Sequence, residues 1–305
     1  MLSVRKRITL IVVIGLVCAG GPSLAQDLEP RAYTASPVGL NFLVVGGGRL
    51  SGDVIFDTTI PVTDVHASAN TVNVGAGRTF SFFGRTALAV ASFPYAWATA
   101  SGSVGEAGGS ISRSGLADPR MKLSVNLVGG RAVTVRDFAK VERPTIVGVS
   151  VVVVPPLGQY DPNKLINLGS NRWSFKPEAG VSRLAGKWTF DGYAGVWLFT
   201  ANRKYFTSSR VRTQEPVVTI QGHTSYSFKP RLWAAFDATW YSGGQTAVDG
   251  NDQGNIKSSM RIGATMSFPL SLRQSVKVAY GRGATTRVGA NFTTISAAWQ
   301  LSWVD

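Results

Sequence analysis

Cysteine is all but missing: Cys18 is the only one in 305 residues. It lies inside an apolar run that follows Arg5, Lys6 and Arg7. That run, Ile8 to Gly20, is too short to cross a bilayer as a helix, which takes ~20 residues. Ser23-Leu24-Ala25 then offers the small residues that signal peptidase reads, so residues 1–25 are read as a Sec-type signal peptide. Cys18 follows Val17 and sits within the run, which argues against a lipoprotein. Cleavage leaves an exported chain without a thiol. Disulfides, cysteine nucleophiles and cysteine metal ligands are thereby excluded.

Histidine is nearly as scarce, with only His66 and His223. They are far apart in sequence and no His-x-x-x-His occurs, which argues against zinc. No Gly-x-Ser-x-Gly elbow appears. Gly46-Gly47-Gly48 and Gly243-Gly244 stand at strand ends with no helix following to receive a phosphate. Lipid-cleaving barrels need a nucleophile, base and orienting group on the face toward the bilayer. His66 is placed in an external loop and His223 on the opposite, inner face, so neither meets that geometry. The expectation is a chain that is not an enzyme, with no catalytic, cofactor or metal residues.

Acidic residues are also few. Of 31 Lys and Arg, three fall in the leader, so the exported chain carries 28 against 17 Asp and Glu. Export argues against nucleic acid as the partner. Phosphorylated lipopolysaccharide or an anionic solute fits the surplus, and so do basic loops that are simply solvated.

Helical, 3.6-residue periodicity is almost absent. Period-two alternation takes its place, in segments of about ten residues, as in a transmembrane β-barrel. Leu232, Ala234, Phe236, Ala238 and Trp240 alternate with Trp233, Asp237, Thr239 and Tyr241. Ile256, Met260, Ile262, Ala264, Met266 and Phe268 alternate with Lys257, Ser259, Arg261, Thr265 and Ser267. One face is apolar for lipid and the other polar for a wet lumen. A soluble sandwich also alternates. Against it stand the aromatic strand ends Trp173, Trp188, Phe228, Trp240, Phe268 and Trp303, which suit interfacial girdles, and the near-terminal aromatic of the last strand.

The fold expected is all-β: a closed antiparallel transmembrane β-barrel of about 12 strands, spanning 39–305 after an N-terminal periplasmic segment, 26–38. Strands are placed near 39–50, 67–80, 86–100, 118–128, 145–155, 173–184, 188–200, 217–228, 231–241, 255–268, 274–281 and 290–303. An even count puts both termini in the periplasm. The stretches 51–66, 101–117, 156–172, 201–216 and 242–254 are Gly-, Pro- and polar-rich, and read as outer loops. The long stretch 129–144 falls on the periplasmic side, with a short helix over Val135–Val141.

Alternation assigns the candidate pore-lining residues. They are Lys122 from the fourth strand, Lys176 and Glu178 from the sixth, and Asp191 and Tyr193 from the seventh. Gln221, His223, Trp233, Asp237, Lys257, Arg261 and Lys277 follow from later strands. Five cations face three anions in this set. They either ring a water-filled pore with a mild anion preference or pair across a filled lumen. A barrel of this size is wider than the ~8-strand barrels that side chains fill, which favours the pore. A tucked-in loop or the segment 26–38 is available as a plug. The central loop, with Asp161, Lys164, Asn167, Asn171 and Arg172, is a candidate constriction or an ordered outer loop.

The stretches Asp27-Leu28-Glu29-Pro30-Arg31-Ala32-Tyr33 and Pro37-Val38-Gly39-Leu40-Asn41-Phe42 resemble the start of a bacterial family, the outer-membrane proteins of the MetA pathway of phenol degradation. The most distinctive likeness runs from Pro156 to Gly169 and from Asn171 to Glu178, and Asp118-Pro119-Arg120 fits too. The resemblance covers nearly the whole exported chain. It implies a closed barrel and a link to uptake of aromatic compounds, and it carries no ligand residues across.

The function expected is an outer-membrane channel or transporter for small solutes, aromatic or anionic ones included. The alternative is a structural or adhesive barrel whose basic outer loops bind lipopolysaccharide or a partner. Outer-membrane lipid and the barrel-assembly machinery are the other partners expected.

Overall fold

Along nearly every strand, buried and exposed positions alternate, and the chemistry is inverted relative to a water-soluble protein. Phe236 and Ile220 are 59% and 51% exposed, whereas Thr219, Ser225 and Asp237 are fully buried. Apolar side chains look outward and polar ones inward, the arrangement that a lipid solvent imposes.

The computed structural model describes residues 28–55, 63–104, 107–138, 140–142, 145–164, 166–206, 209–286 and 289–304. The expected signal peptide lies outside the described residues.

Twelve antiparallel staves close the barrel. In chain order the first strands are β1 (Leu40–Ile55), β2 (Thr63–Phe82), β3 (Arg85–Val104), β4 (Ala107–Leu116) and β5 (Arg120–Val128). A single helical turn, α1 (Val135–Phe138), precedes β6 (Thr145–Val154), β7 (Ser174–Ala185) and β8 (Trp188–Phe199). Then come β9 (Asn202–Tyr205), β10 (Arg210–Gln214), β11 (Val217–Lys229) and β12 (Leu232–Gly243). The last are β13 (Thr246–Val248), β14 (Asn251–Asp252), β15 (Lys257–Pro269), β16 (Gln274–Thr286) and β17 (Gly289–Val304). Strand β1 pairs with both β2 and β17, and β2 pairs with β3, so the ring of staves closes, with β4 paired on its β3 side. Closure lets the staves satisfy their backbone groups within the sheet, as hydrocarbon requires.

Strands β4 and β5 share one place in the wall. The upper half of β3 pairs with β4, Tyr95 opposite Leu116, and the lower half with β5, Ser92 opposite Arg120. Ala117-Asp118-Pro119 breaks the pair, since proline has no N–H for the ladder.

Tight connections such as Phe83-Gly84, Gly186-Lys187 and Pro230-Arg231 gather at one end, with Leu40 and Val304. We call this the turn end, and the other the loop end. All six aromatics proposed as girdle members are exposed on the outer surface.

Three expectations need correction. Residues 101–117 are not simply a loop, because β3 runs on to Val104 and folds back as β4. The stretches 201–216 and 242–254 hold β9, β10, β13 and β14, a small four-stranded sheet over the loop end. Strands of two to five residues are too short to show period-two patterning, and the Gly/Ser-rich β4 forms on β3 as a template. Among the described residues of the stretch 135–141, where a helix is expected, the helix covers Val135–Phe138.

Candidate functional site: the barrel lumen

The inner face is built by alternation along the staves. Strand β5 brings Lys122, Ser124 and Asn126 inward; β7 brings Lys176 and Glu178; β8 brings Asp191, Tyr193 and Trp197. Strands β11 and β12 add Gln221, His223, Trp233 and Asp237, and β15 and β16 add Lys257, Arg261 and Lys277. Thus all twelve candidate pore-lining residues lie on the lumen side.

The chain's own N-terminal residues occupy part of that lumen. Residues 28–34 climb into the barrel from the turn end, where Val38 N–H donates to Val133 O and Gly39 N–H to Thr79 O. The Tyr33 ring lies against Gly148 and Gly180, where a Cβ at either position would overlap it. Its hydroxyl lies 2.9 Å from Ser150 Oγ and donates to Glu178 Oε1 at 3.1 Å. The ring also meets Tyr193 edge-on, with centroids 5.1 Å apart. Arg31 N–H donates to Asp191 Oδ2, its guanidinium to Ser225 and Ser227, and it lies 4.6 Å from the Trp233 ring centre. On β5, next to the stave that carries Ser150, Lys122 Nζ pairs with Glu29 at 2.7 Å.

Charges on this side are neutralised in pairs, as low-dielectric surroundings demand. Lys176 Nζ is 2.7 Å from Glu178, with both side chains buried, and Gln221 donates to the same carboxylate. His223 Nδ1 is 2.7 Å from Asp237 Oδ1, and Thr265 donates to Oδ2. The wall from β5 round to β12 is therefore a filled polar network.

The remaining wall differs. Lys257, Arg261 and Lys277 form no salt bridge among the described residues, although the Glu29 and Asp237 carboxylates lie near enough to act on Lys277. Arg261 donates to Thr294 Oγ1, and Lys277 Nζ lies 5.7 Å from the Trp233 ring centre. A cavity of about 220 Å³ runs here between Leu28 of the plug and the inner backbone of β1 and β17. Gly46, Gly48, Ala298, Thr294 and Lys277 border it. Small residues keep it open and one ammonium group projects into it.

Above the lumen, the central loop is fastened by Asp118. Its carboxylate accepts from Gly158 N–H at 2.8 Å and from Ser170 N–H and Oγ. Asp161, Lys164 and Asn167 close a turn among themselves, through Asn167 amide bonds to Asp161 and Lys164. Asn171 donates to Asn202. Of the five candidate constriction residues, only Arg172 is buried in the barrel mouth. It lies on the Phe199 ring at 4.4 Å and donates to Gln214. Burial and the nearby Arg212 push the Arg172 guanidinium down to about 9, against the pull of Asp118. Leu168 packs with Ala96 and Ala117 and draws the loop inward.

Two groups of residues escaped the sequence reading. Glu29, Arg31 and Tyr33 precede the first strand and so belong to no alternation, although a charged Glu-Pro-Arg is an unusual leader into a barrel. His66 is not in an external loop. It lies on β2, directly opposite Asp53, on the outer face of the barrel. Strand pairing placed it there, and no local pattern around His66 signalled it.

A family model described as "Putative MetA-pathway of phenol degradation" matches residues 45–301. An outer-membrane channel of Pseudomonas putida F1 is similar in structure, with TM-score 0.78 at 19% identity over 91% of this chain and 100% of that one. The transport unit of the autotransporter AIDA-I from Escherichia coli is also similar, with TM-score 0.53 at 10% identity over 97% and 99%. At such identities the likeness is one of fold. No curated protein sequence matches the chain.

Proposed function

The chain belongs to the family of the MetA pathway of phenol degradation, and from that premise we propose that it is an outer-membrane channel for small solutes that favours anions, aromatic ones included. The observation that carries the reading is the lopsided lumen. Lys257, Arg261 and Lys277 stand along one wall with no salt bridge to a carboxylate among the described residues, and Lys277 borders a cavity lined by small residues. Cations that line a passage lower the barrier for anions and raise it for cations. Trp233 beside Lys277 adds an aromatic face. The plug restricts the passage to small molecules.

Sec export and insertion by the barrel-assembly machinery fit the leader and the exposed Trp303 near the C-terminus. The adhesive alternative rests on the basic loop Arg203, Lys204, Arg210 and Arg212. Half of that charge is used internally, since Arg210 pairs with Asp249 at 2.8 Å and Arg212 is buried near Tyr205.

Permeation into liposomes carrying the refolded protein tests the proposal, with benzoate compared against sugars of similar size. Faster entry of benzoate supports the anion-favouring channel. Equal entry reduces it to a general pore, and no entry of either rejects the channel.

A further inference from the structure

Three polar side chains on the outer surface meet in an order that the lumen does not contain. Ser51 and Asp53 are two residues apart on β1 and so share a face, and His66 on β2 stands directly opposite Asp53. Ser51 Oγ is 2.9 Å from His66 Nε2, and His66 Nδ1 is 3.1 Å from Asp53 Oδ1. One ring nitrogen thus addresses a hydroxyl and the other a carboxylate. This is the connectivity by which a base activates a serine while an acid fixes its tautomer. His223 has no such arrangement, because it is buried on the inner face with Asp237.

The face and the depth both matter. Continuing down the same face, Val45, Val72 and Val74 are exposed to lipid. Asn70 pairs with Trp97, and Val72 with Tyr95, and these two rings pack with centroids 4.7 Å apart. Aromatics of this kind mark the membrane–water boundary. His66 lies four residues beyond Asn70, about 13 Å along the strand at ~3.3 Å per residue and less along the membrane normal because staves tilt. The trio therefore sits at the head-group side of the loop-end interface, near the depth at which acyl chains join their head groups. His66 and Asp53 side chains are 51% and 78% exposed, open to a lipid approaching from outside.

We propose that Ser51, His66 and Asp53 form a serine-esterase site that hydrolyses ester-linked acyl chains of outer-leaflet lipid. Ser51 Oγ attacks the ester carbonyl while its proton passes to His66 Nε2. The tetrahedral intermediate collapses, the C–O bond to the alcohol breaks, and the departing alkoxide takes that proton. Water then attacks the acyl-Ser51 ester, again losing a proton to His66. The C–Oγ bond breaks, Ser51 regains its proton, and a fatty acid leaves. Ester and water become alcohol and acid, with no other reactant. Arg49 and Asn70, cross-strand partners one pleat nearer the bilayer on the same face, supply donors for the developing oxyanion. This site is independent of the lumen and stands or falls apart from the channel reading.

The test uses the refolded full chain with two probes. The first is a fluorophosphonate, read by mass spectrometry of the labelled peptide. The second is free fatty acid released from vesicles of phospholipid alone or phospholipid with lipopolysaccharide. Labelling at Ser51 and release of acid are expected, with lipopolysaccharide as the better source. Ser51→Ala should abolish both, and His66→Gln or Asp53→Asn should lower release by at least about 100-fold. Ser68→Ala, on the same face, should change neither. Release from phospholipid alone would keep the chemistry and move the substrate. Absence of Ser51 labelling, or equal release by Ser51→Ala, overturns the proposal. Unchanged heat-modifiable gel mobility in each variant separates loss of activity from loss of fold.

Discussion

Asp237 Oδ1 and His223 Nδ1 lie 2.7 Å apart on neighbouring staves β12 and β11, with neither side chain open to solvent. Thr265 from β15 completes the carboxylate's bonds, so one residue links three staves. Asp237→Ala leaves the imidazole and the Thr265 hydroxyl without their shared partner. Leaving a buried polar group without its partner costs about 1–3 kcal/mol. The urea midpoint of the folded barrel should fall accordingly, and Asp237→Asn should fall less. A change within error for Asp237→Ala would show that the contact is not structural.

Tyr33 and Glu29 anchor the plug to neighbouring staves, through Ser150 on β6 and Glu178 on β7 for the first and Lys122 on β5 for the second. Tyr33→Ala combined with Glu29→Gln should release the segment and raise single-channel conductance several-fold. Equal conductance in variant and parent would mean that ions never pass where the segment lies.

Lys257 and Arg261 are four residues apart on the same face of β15 and form no salt bridge among the described residues. Reversing both, Lys257→Glu with Arg261→Glu, should move the reversal potential in a salt gradient toward cation selectivity. An unaltered potential with unaltered conductance would remove both from the conducting path.

Asp249 joins the small loop sheet to itself. The Arg210 guanidinium and then Val211 N–H, both bonded to its carboxylate, hold it below the ordinary 3.8. A carboxylate depressed by folding contributes fully above its ordinary pKa, and the contribution is lost as pH falls through the lower, folded value. Hydrogen exchange in β10 and β13, corrected for intrinsic rates, should show constant protection from pH 7 to 5 and loss below about 3.8. Asp249→Asn should flatten that dependence. Protection that already fades between pH 7 and 5 would assign the loop's stability to another group.

The sequence alone determined the wall. Period-two alternation follows from strand geometry, and only a lipid solvent rewards the apolar face that Ile220, Phe236 and Trp240 present. The same alternation put Lys122, Glu178, Asp237 and Arg261 on the inner face, because side-chain direction is a local property. Which inner charges find partners is not local. Lys122 pairs directly with Glu29, while Lys277 stands off from Glu29 and Asp237 without a salt bridge among the described residues, and only closure of the barrel around residues 28–34 made that difference. The tertiary structure likewise decided the register that sets His66 against Asp53 and Ser51. Register follows from turn length and from pairing along the whole of β1 and β2, so no short stretch of either strand contains it.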